Sequence, residues 1–267
     1  MKKRIPALAG FLAAASFLLW FVQPLRARSV FSAQEAPVTV VIDPGHGGED
    51  GGASSAAGVT EAGINLEIAL RLRDLLTFAG IRTSLLRETD CSLTTDGETV
   101  AQRKVSDLKN RVQAVNGTPN ALLVSIHQNF FEQSRYFGAQ VFYSDSAESH
   151  ALAEKTQTLL RETLDAANRR ECKPSKGVYL MQHVTCPAIL VECGFLSNPA
   201  EAEKLQNKLY QQKIAAAVSA ALIEAIRERN EHHETENSLY LQSVRQRNTP
   251  LAGTVSRLRR VELHCGI

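Results

Sequence analysis

Three short apolar runs constrain this chain most. They are Val38-Thr39-Val40-Val41-Ile42, Ala121 to Ile126 and Ala188 to Val191, and none shows the in-out alternation of a strand with one wet face. A strand that is apolar throughout needs cover on both sides, the condition of a central sheet sandwiched between helices. The intervening sequence supplies the helices. Ile64, Ile68, Leu72, Leu75 and Leu76 share one helical face, with Thr60 as the expected N-cap and Gly80 as the stop. Ser106 is expected to cap a second helix, with Leu108, Val112 and Val115 turned inward and Asn116-Gly117 closing it. Ala147 to Asn168 reads as a long amphipathic helix, and Pro199 to about Arg229 as one or two more. Ile81 to Leu86 and Gly138 to Tyr143 read as further strands, and Cys91 to Lys104 as a polar loop insertion. Alternating strands and helices predict an α/β layered domain.

The ends differ from this middle. Lys2, Lys3 and Arg4 precede an uncharged apolar run from Ile5 to Val22. This is the pattern of a secretory signal or a signal anchor, and it directs the remainder across the cytoplasmic membrane. The run is short for a membrane span, and the best small-x-small cleavage site, Ala27-Arg28-Ser29, is poor. Residues 1–30 are therefore assigned to export, with membrane anchoring through residues 5–22 as one form of it. Residues 37–229 form the expected domain. Residues 230–267 turn polar and weakly periodic, and a loosely ordered tail is expected there. The 30 Lys and Arg against 28 Asp and Glu leave a net charge of +2, too little for a dedicated nucleic-acid binder. Five cysteines without a C-x-x-C pair exclude both a disulfide scaffold and a cysteine-rich zinc finger.

Ligands of open α/β sheets bind beyond the carboxyl ends of the strands. Here the three apolar strands end on Asp43-Pro44-Gly45-His46-Gly47-Gly48, on Ser125-Ile126-His127 and on Val191-Glu192. Of seven histidines, only His46 and His127 occupy such ends. The glycines around His46 do not fit a phosphate loop: neither the Lys-Ser/Thr of a Walker motif nor the dinucleotide-binding register is present. Two histidines and one carboxylate make a catalytic zinc set with an open fourth position. On the residues alone the carboxylate could be Glu49, Asp50, Glu61 or Glu67.

The segments VIDPGHGGEDGGA, GVTEAGINLEIALRLRDLL, LLRETD, LKNRVQAVN, LLVSIHQN and ILVECGFLSNPAEAEKL, in this order, resemble the zinc-dependent N-acetylmuramoyl-L-alanine amidases of the type 3 amidase family over about residues 38–228. The insertion after RETD and the segment FGAQVFY are similar to its sporulation-type, germination-specific branch, whose members help form muramic-δ-lactam in spore cortex peptidoglycan. The resemblance implies a three-layer sandwich with a central, mostly parallel (mixed) sheet flanked by helices. It implies His46, Glu61 and His127 as ligands of Zn2+, Glu192 as the catalytic carboxylate, and Asn129 near the metal as a substrate contact. Arg87 and Arg111 match positions read as structural. Ala62 and Cys193 depart from the family's usual residues without removing a chemical group. The implied substrate is peptidoglycan, in the cell wall or the forespore intermembrane space, with an activator protein among the expected partners and no nucleic acid. The alternatives are a zinc carboxypeptidase or endopeptidase acting on wall peptides, and a wall-binding protein without catalysis. The second would have no use for an open metal site beside a base.

Overall fold

The three apolar runs lie side by side in the middle of one six-stranded sheet. The computed structural model describes residues 36–247. The signal segment expected at 1–30 and the chain from 248 onward lie outside the described residues. In chain order the elements are β1 Thr39–Pro44, α1 Glu61–Phe78, β2 Arg82–Leu85, α2 Val100–Asn116, β3 Ala121–Asn129, β4 Gln140–Tyr143, α3 Ala147–Leu164, β5 Lys173–Pro174, α4 Tyr179–His183, β6 Ala188–Phe195, α5 Pro199–Gln206 and α6 Lys208–Arg247. The strand order is β2-β1-β3-β6-β4-β5. Every pair is parallel except β4 with β6, so the sheet is mixed.

Alternation within the buried strands divides the core into two layers. Val40, Ile42, Leu122, Val124, Ile126, Ile189 and Val191 face a large cluster built from α1, α3, α5 and α6. Val41, Leu123, Ala188 and Leu190 face a smaller cluster with Val115 of α2 and Leu180 and Met181 of α4. The arrangement is a three-layer α/β sandwich. Along the smaller-cluster face the chemistry changes with height. Val41, Leu123 and Ala188 are register partners at the base, Asp43, Ser125 and Leu190 follow above, and His127 sits beside Glu192 at the top.

Helix ends show where the local reading needs correction. Thr60 takes the N-cap position of α1 with extended backbone, but its side chain makes no capping hydrogen bond. At the other end Gly80, at φ 77°, closes a Schellman turn: its N–H donates to Thr77 O (3.0 Å) and that of Ile81 to Leu76 O (2.9 Å). Ser106 is not a cap. The cap lies seven residues earlier, where Thr99 forms a reciprocal capping box with Gln102, and Ser106 is buried inside the helix. Helix α3 stops at Leu164, and Asn168 instead turns its buried amide onto Ala139 O at 2.9 Å. Helix α6 does not end where the sequence turns polar at residue 230. It continues to Arg247, since no Gly or Pro interrupts it and its residues are mostly good helix formers. No helix among the described residues is long and apolar enough to cross a membrane.

Candidate metal centre

The centre lies at the carboxyl ends of β1, β3 and β6. His46, Glu61 and His127 each present one donor atom, and these atoms all lie within 4.8 Å of one another. Three kinds of segment deliver them. His127 belongs to β3, His46 to the loop after β1, and Glu61 to the first turn of α1.

The loop needs the most support. His46 adopts φ 62°, a left-handed conformation rare for a residue with a side chain. Two buried guanidinium groups hold the backbone there. Arg87 donates to Pro44 O (2.9 Å), Gly45 O (3.0 Å) and Ala62 O (2.9 Å), tying the loop to the start of α1. Arg111, from α2, donates to Pro44 O (3.1 Å) and His46 O (2.8 Å) and pairs with Asp43 and Asp107. Burial opposes the charge on Asp43, but Arg111, His127 and the Ser125 hydroxyl (2.6 Å) outweigh it and hold the carboxyl below its usual range. Burial likewise works against Arg111, and its two aspartates overcome this and raise its pKa.

Two glycines make room. A Cβ on Gly45 would lie 2.2 Å from the His127 ring, and one on Gly52 would lie 2.6 Å from Glu61 Oε2 and 2.8 Å from the His46 ring. The backbone immediately after β1 thus passes directly against one imidazole, which only glycine permits.

Glu61 sits at the hub. Its Oε1 is 2.9 Å from His127 Nδ1 and 3.3 Å from His46 Nε2, and it accepts from the Gln128 amide at 3.0 Å. Its Oε2 accepts from the Ala53 amide at 2.9 Å. Burial raises the cost of this charge, yet the hydrogen bonds and charges of the two histidines hold the carboxyl well below its usual range. Asn65 donates to Glu61 Oε1 (3.3 Å) and Gly45 O (3.1 Å), and Gln128 donates to Asn65 Oδ1 (3.1 Å). The other nitrogen of His46 meets Asp50 Oδ2 at 2.9 Å. Burial disfavours a proton on His46, but Glu61 and Asp50 raise its pKa above the ordinary value.

The four carboxylates that the residues leave open therefore part ways. Glu49 pairs with Arg103 at the surface, Glu67 pairs with Arg71, and Asp50 stands behind His46. Only Glu61 reaches both histidines. Two imidazoles, a carboxylate held ionised and a carboxylate behind one histidine suit zinc in both its ligands and the groups that orient them.

Glu192 is the register partner of His127 across β3 and β6. Its Oε2 is buried and has no hydrogen-bond partner. Burial pushes the carboxyl up to about 7, with His127 and His46 pulling it down and Glu61 pushing it up. Asn129 ends β3, where the register with β6 shifts, and its carbonyl accepts from Leu196 N at 2.8 Å. The supporting residues Asp43, Asn65, Gln128 and Gly45 carry a fainter signal in the sequence. An aspartate ending an apolar strand must find a buried cation, and that alone could have pointed to Asp43 and Arg111 together.

A family model described as N-acetylmuramoyl-L-alanine amidase matches residues 40–224. The germination-specific N-acetylmuramoyl-L-alanine amidase of Bacillus subtilis (strain 168) is 34% identical over 239 residues, covering 88% of this chain and 100% of the relative. Among solved structures, the CwlD amidase from Clostridioides difficile, in complex with the GerS lipoprotein, is similar with a TM-score of 0.69 and 39% identity, over 71% of this chain and 98% of that one. The catalytic domain of CwlV, an N-acetylmuramoyl-L-alanine amidase from Bacillus (Paenibacillus) polymyxa var. colistinus, is similar with a TM-score of 0.58 and 28% identity, over 72% of this chain and 99% of that one.

Proposed function

The chain belongs to the N-acetylmuramoyl-L-alanine amidase family, and from that premise we propose that it is a zinc-dependent hydrolase of spore cortex peptidoglycan. The bond it cuts joins the lactyl group of N-acetylmuramic acid to L-alanine of the stem peptide, and the freed muramic carboxyl is then available for closure to a δ-lactam. The observation that carries the zinc reading is the convergence of His46, Glu61 and His127 donor atoms within 4.8 Å.

These three residues hold the metal. Zinc, when bound, supplies Lewis acidity, drawing the pKa of a water molecule toward about 7 and polarising a carbonyl group. The remaining work belongs to the chain. Glu192 takes the proton of the attacking water at its carboxylate and later gives it to the departing amine of L-alanine. A carboxyl pushed up to about 7 by burial suits a group that must accept and release a proton near neutrality. Asp50 keeps His46 in the orientation that turns Nε2 toward the centre, and Asn129 contacts the substrate.

Residues 1–30 carry the protein across the cytoplasmic membrane, with residues 5–22 retained as an anchor. The C. difficile relative is in complex with a lipoprotein, which supports a protein partner for this chain, and activation is the role assigned to that partner here. The decisive test is muropeptide profiling of spores with and without the protein, alongside digestion of purified peptidoglycan by the zinc-loaded chain. Release of stem peptides ending in free L-alanine amines, and loss of muramic-δ-lactam in its absence, are expected. Cleavage between amino acids of the stem would instead identify a carboxypeptidase or endopeptidase.

A further inference from the structure

A cleft of about 480 Å³ opens beside the centre, between the loop before α1, the end of β3 and the turn from β6 into α5. It is next to the reacting groups by chain position. Ser54 follows Ala53, whose amide holds Glu61, while Phe130 follows Asn129 and Leu196 donates to the Asn129 carbonyl. Its lining combines apolar surface from Phe130, Leu196, Ala56 and Ala57 with the hydroxyls of Ser54 and Ser197. Phe130 is 50% exposed, a large apolar side chain left in solvent on the wall of this cleft.

The charge of the cleft selects among the parts of the substrate. No Lys, Arg or His is among the described residues that line it, and two carboxylates, Glu132 and Glu203, are. A stem peptide carries free carboxylates and would meet like charge here with no cation to pair with. A glycan strand of N-acetylated sugars is uncharged once the muramic carboxyl is tied up in the amide. Its sugar rings offer apolar faces to an aromatic side chain, its acetyl methyls suit Ala56, Ala57 and Leu196, and its hydroxyls suit serine.

We propose that this cleft, with Phe130 as its platform, binds the glycan strand flanking the muramoyl residue that is cut, which directs the stem peptide to the other side of the centre. The proposal rests on the amidase reading above and adds the orientation of the substrate to it.

Two measurements on the full zinc-loaded chain test it. The first needs no cleavage: binding of an uncharged tetramer of β-1,4-linked N-acetylglucosamine is followed by calorimetry, with the free stem peptide as the contrasting probe. The tetramer is expected to bind, with affinity falling about tenfold in Phe130→Ala, failing in Ala57→Trp, which fills the cleft, and recovering in Phe130→Trp. Stem-peptide binding is expected to be the same in all of them. The second compares KM for a muramoyl peptide extended by neighbouring sugars with KM for the muramoyl peptide alone. Phe130→Ala is expected to erase the advantage of the longer glycan while leaving kcat near its original value.

No tetramer binding by a chain that cleaves peptidoglycan would overturn the proposal and leave the amidase reading intact. Tetramer binding at the cleft without amide cleavage on any substrate would defeat the amidase reading while the cleft assignment stood. Loss of stem-peptide binding in Phe130→Ala, or an equal rise in both KM values, would give the cleft to the peptide and overturn the proposal.

Discussion

The two halves of the centre are held in place by different means. His127 and Glu192 ride on adjacent parallel strands as register partners, fixed by a backbone ladder between apolar layers. His46 and Glu61 lie outside the strands, and their positions depend on buried polar groups. Arg87 and Arg111 hold the loop carbonyls, Asp43 balances one guanidinium, and the Ala53 and Gln128 amides hold the Glu61 carboxylate. A strand positions a side chain with little help from its neighbours. A loop must replace the ladder with side-chain hydrogen bonds, each of which becomes costly when its partner is removed.

The largest expected effect tests whether the strand half is independent of what it carries. His127→Ala removes a donor but no ladder bond, so zinc content and amide cleavage should both be lost while the melting temperature of the metal-free protein changes little. Undiminished zinc by metal analysis would contradict the ligand role. Glu192→Gln comes next. It keeps the shape of the side chain, so zinc should stay, and turnover should fall about 10²–10⁴-fold, the usual worth of general acid–base catalysis. Near-normal turnover per folded molecule would remove Glu192 from the chemistry.

The loop half should respond in stability first. Arg111→Met leaves Asp43 buried without its direct ion-pair partner, and a loss of about 3–5 kcal/mol is expected in urea unfolding. A loss below about 1 kcal/mol, the worth of a surface pair, would show that the loop holds itself. Asp50→Asn is milder, because the amide oxygen can still face His46. Zinc should bind about 10–100-fold more weakly, read by competition with a chelator.

The last effect concerns pH in the metal-free protein. Glu192 is pushed from an ordinary 4.5 to about 7, chiefly by burial, so the folded chain binds a proton there that the unfolded chain has released. Its contribution to stability is present at low pH and is lost as pH rises from 4.5 through about 7. Glu192→Gln should flatten that part of the stability curve, and an unchanged slope would place the effect on another group.

This contrast also separates what the sequence discloses from what it withholds. Unbroken apolar runs announce the strands of a doubly covered sheet, so the ends of β3 and β6, with His127 and Glu192 on them, are legible from composition and order. Glu61 is not, because on residues alone it competes with Glu49, Asp50 and Glu67, and only the fold shows which of the four reaches both histidines. The motif resemblance supplies that choice where local physics cannot. Helix boundaries follow the same division. The Gly80 stop is visible in the sequence, whereas the start of α2 at Val100 depends on a Thr99–Gln102 capping box within an otherwise loop-like, polar stretch. Helix α6 outlasts its buried face because helix propensity, more than burial, governs the residues after Arg229.

The parallel order of the sheet has a kinetic consequence. Parallel neighbours cannot be joined by a tight hairpin, so β1 must wait for β3, and β3 for β6, before either ladder closes. Chains dominated by such distant pairings fold slowly, because loop entropy is lost before contacts repay it. Donors at positions 46, 61 and 127 and the carboxylate at 192 meet only when that assembly is complete. A chain still being synthesised lacks β6, and with it Glu192, until Ala188–Phe195 has emerged. If zinc is captured as proposed, its binding would mark the end of folding, and a chain that had not yet bound it would have no hydrolytic power to misdirect.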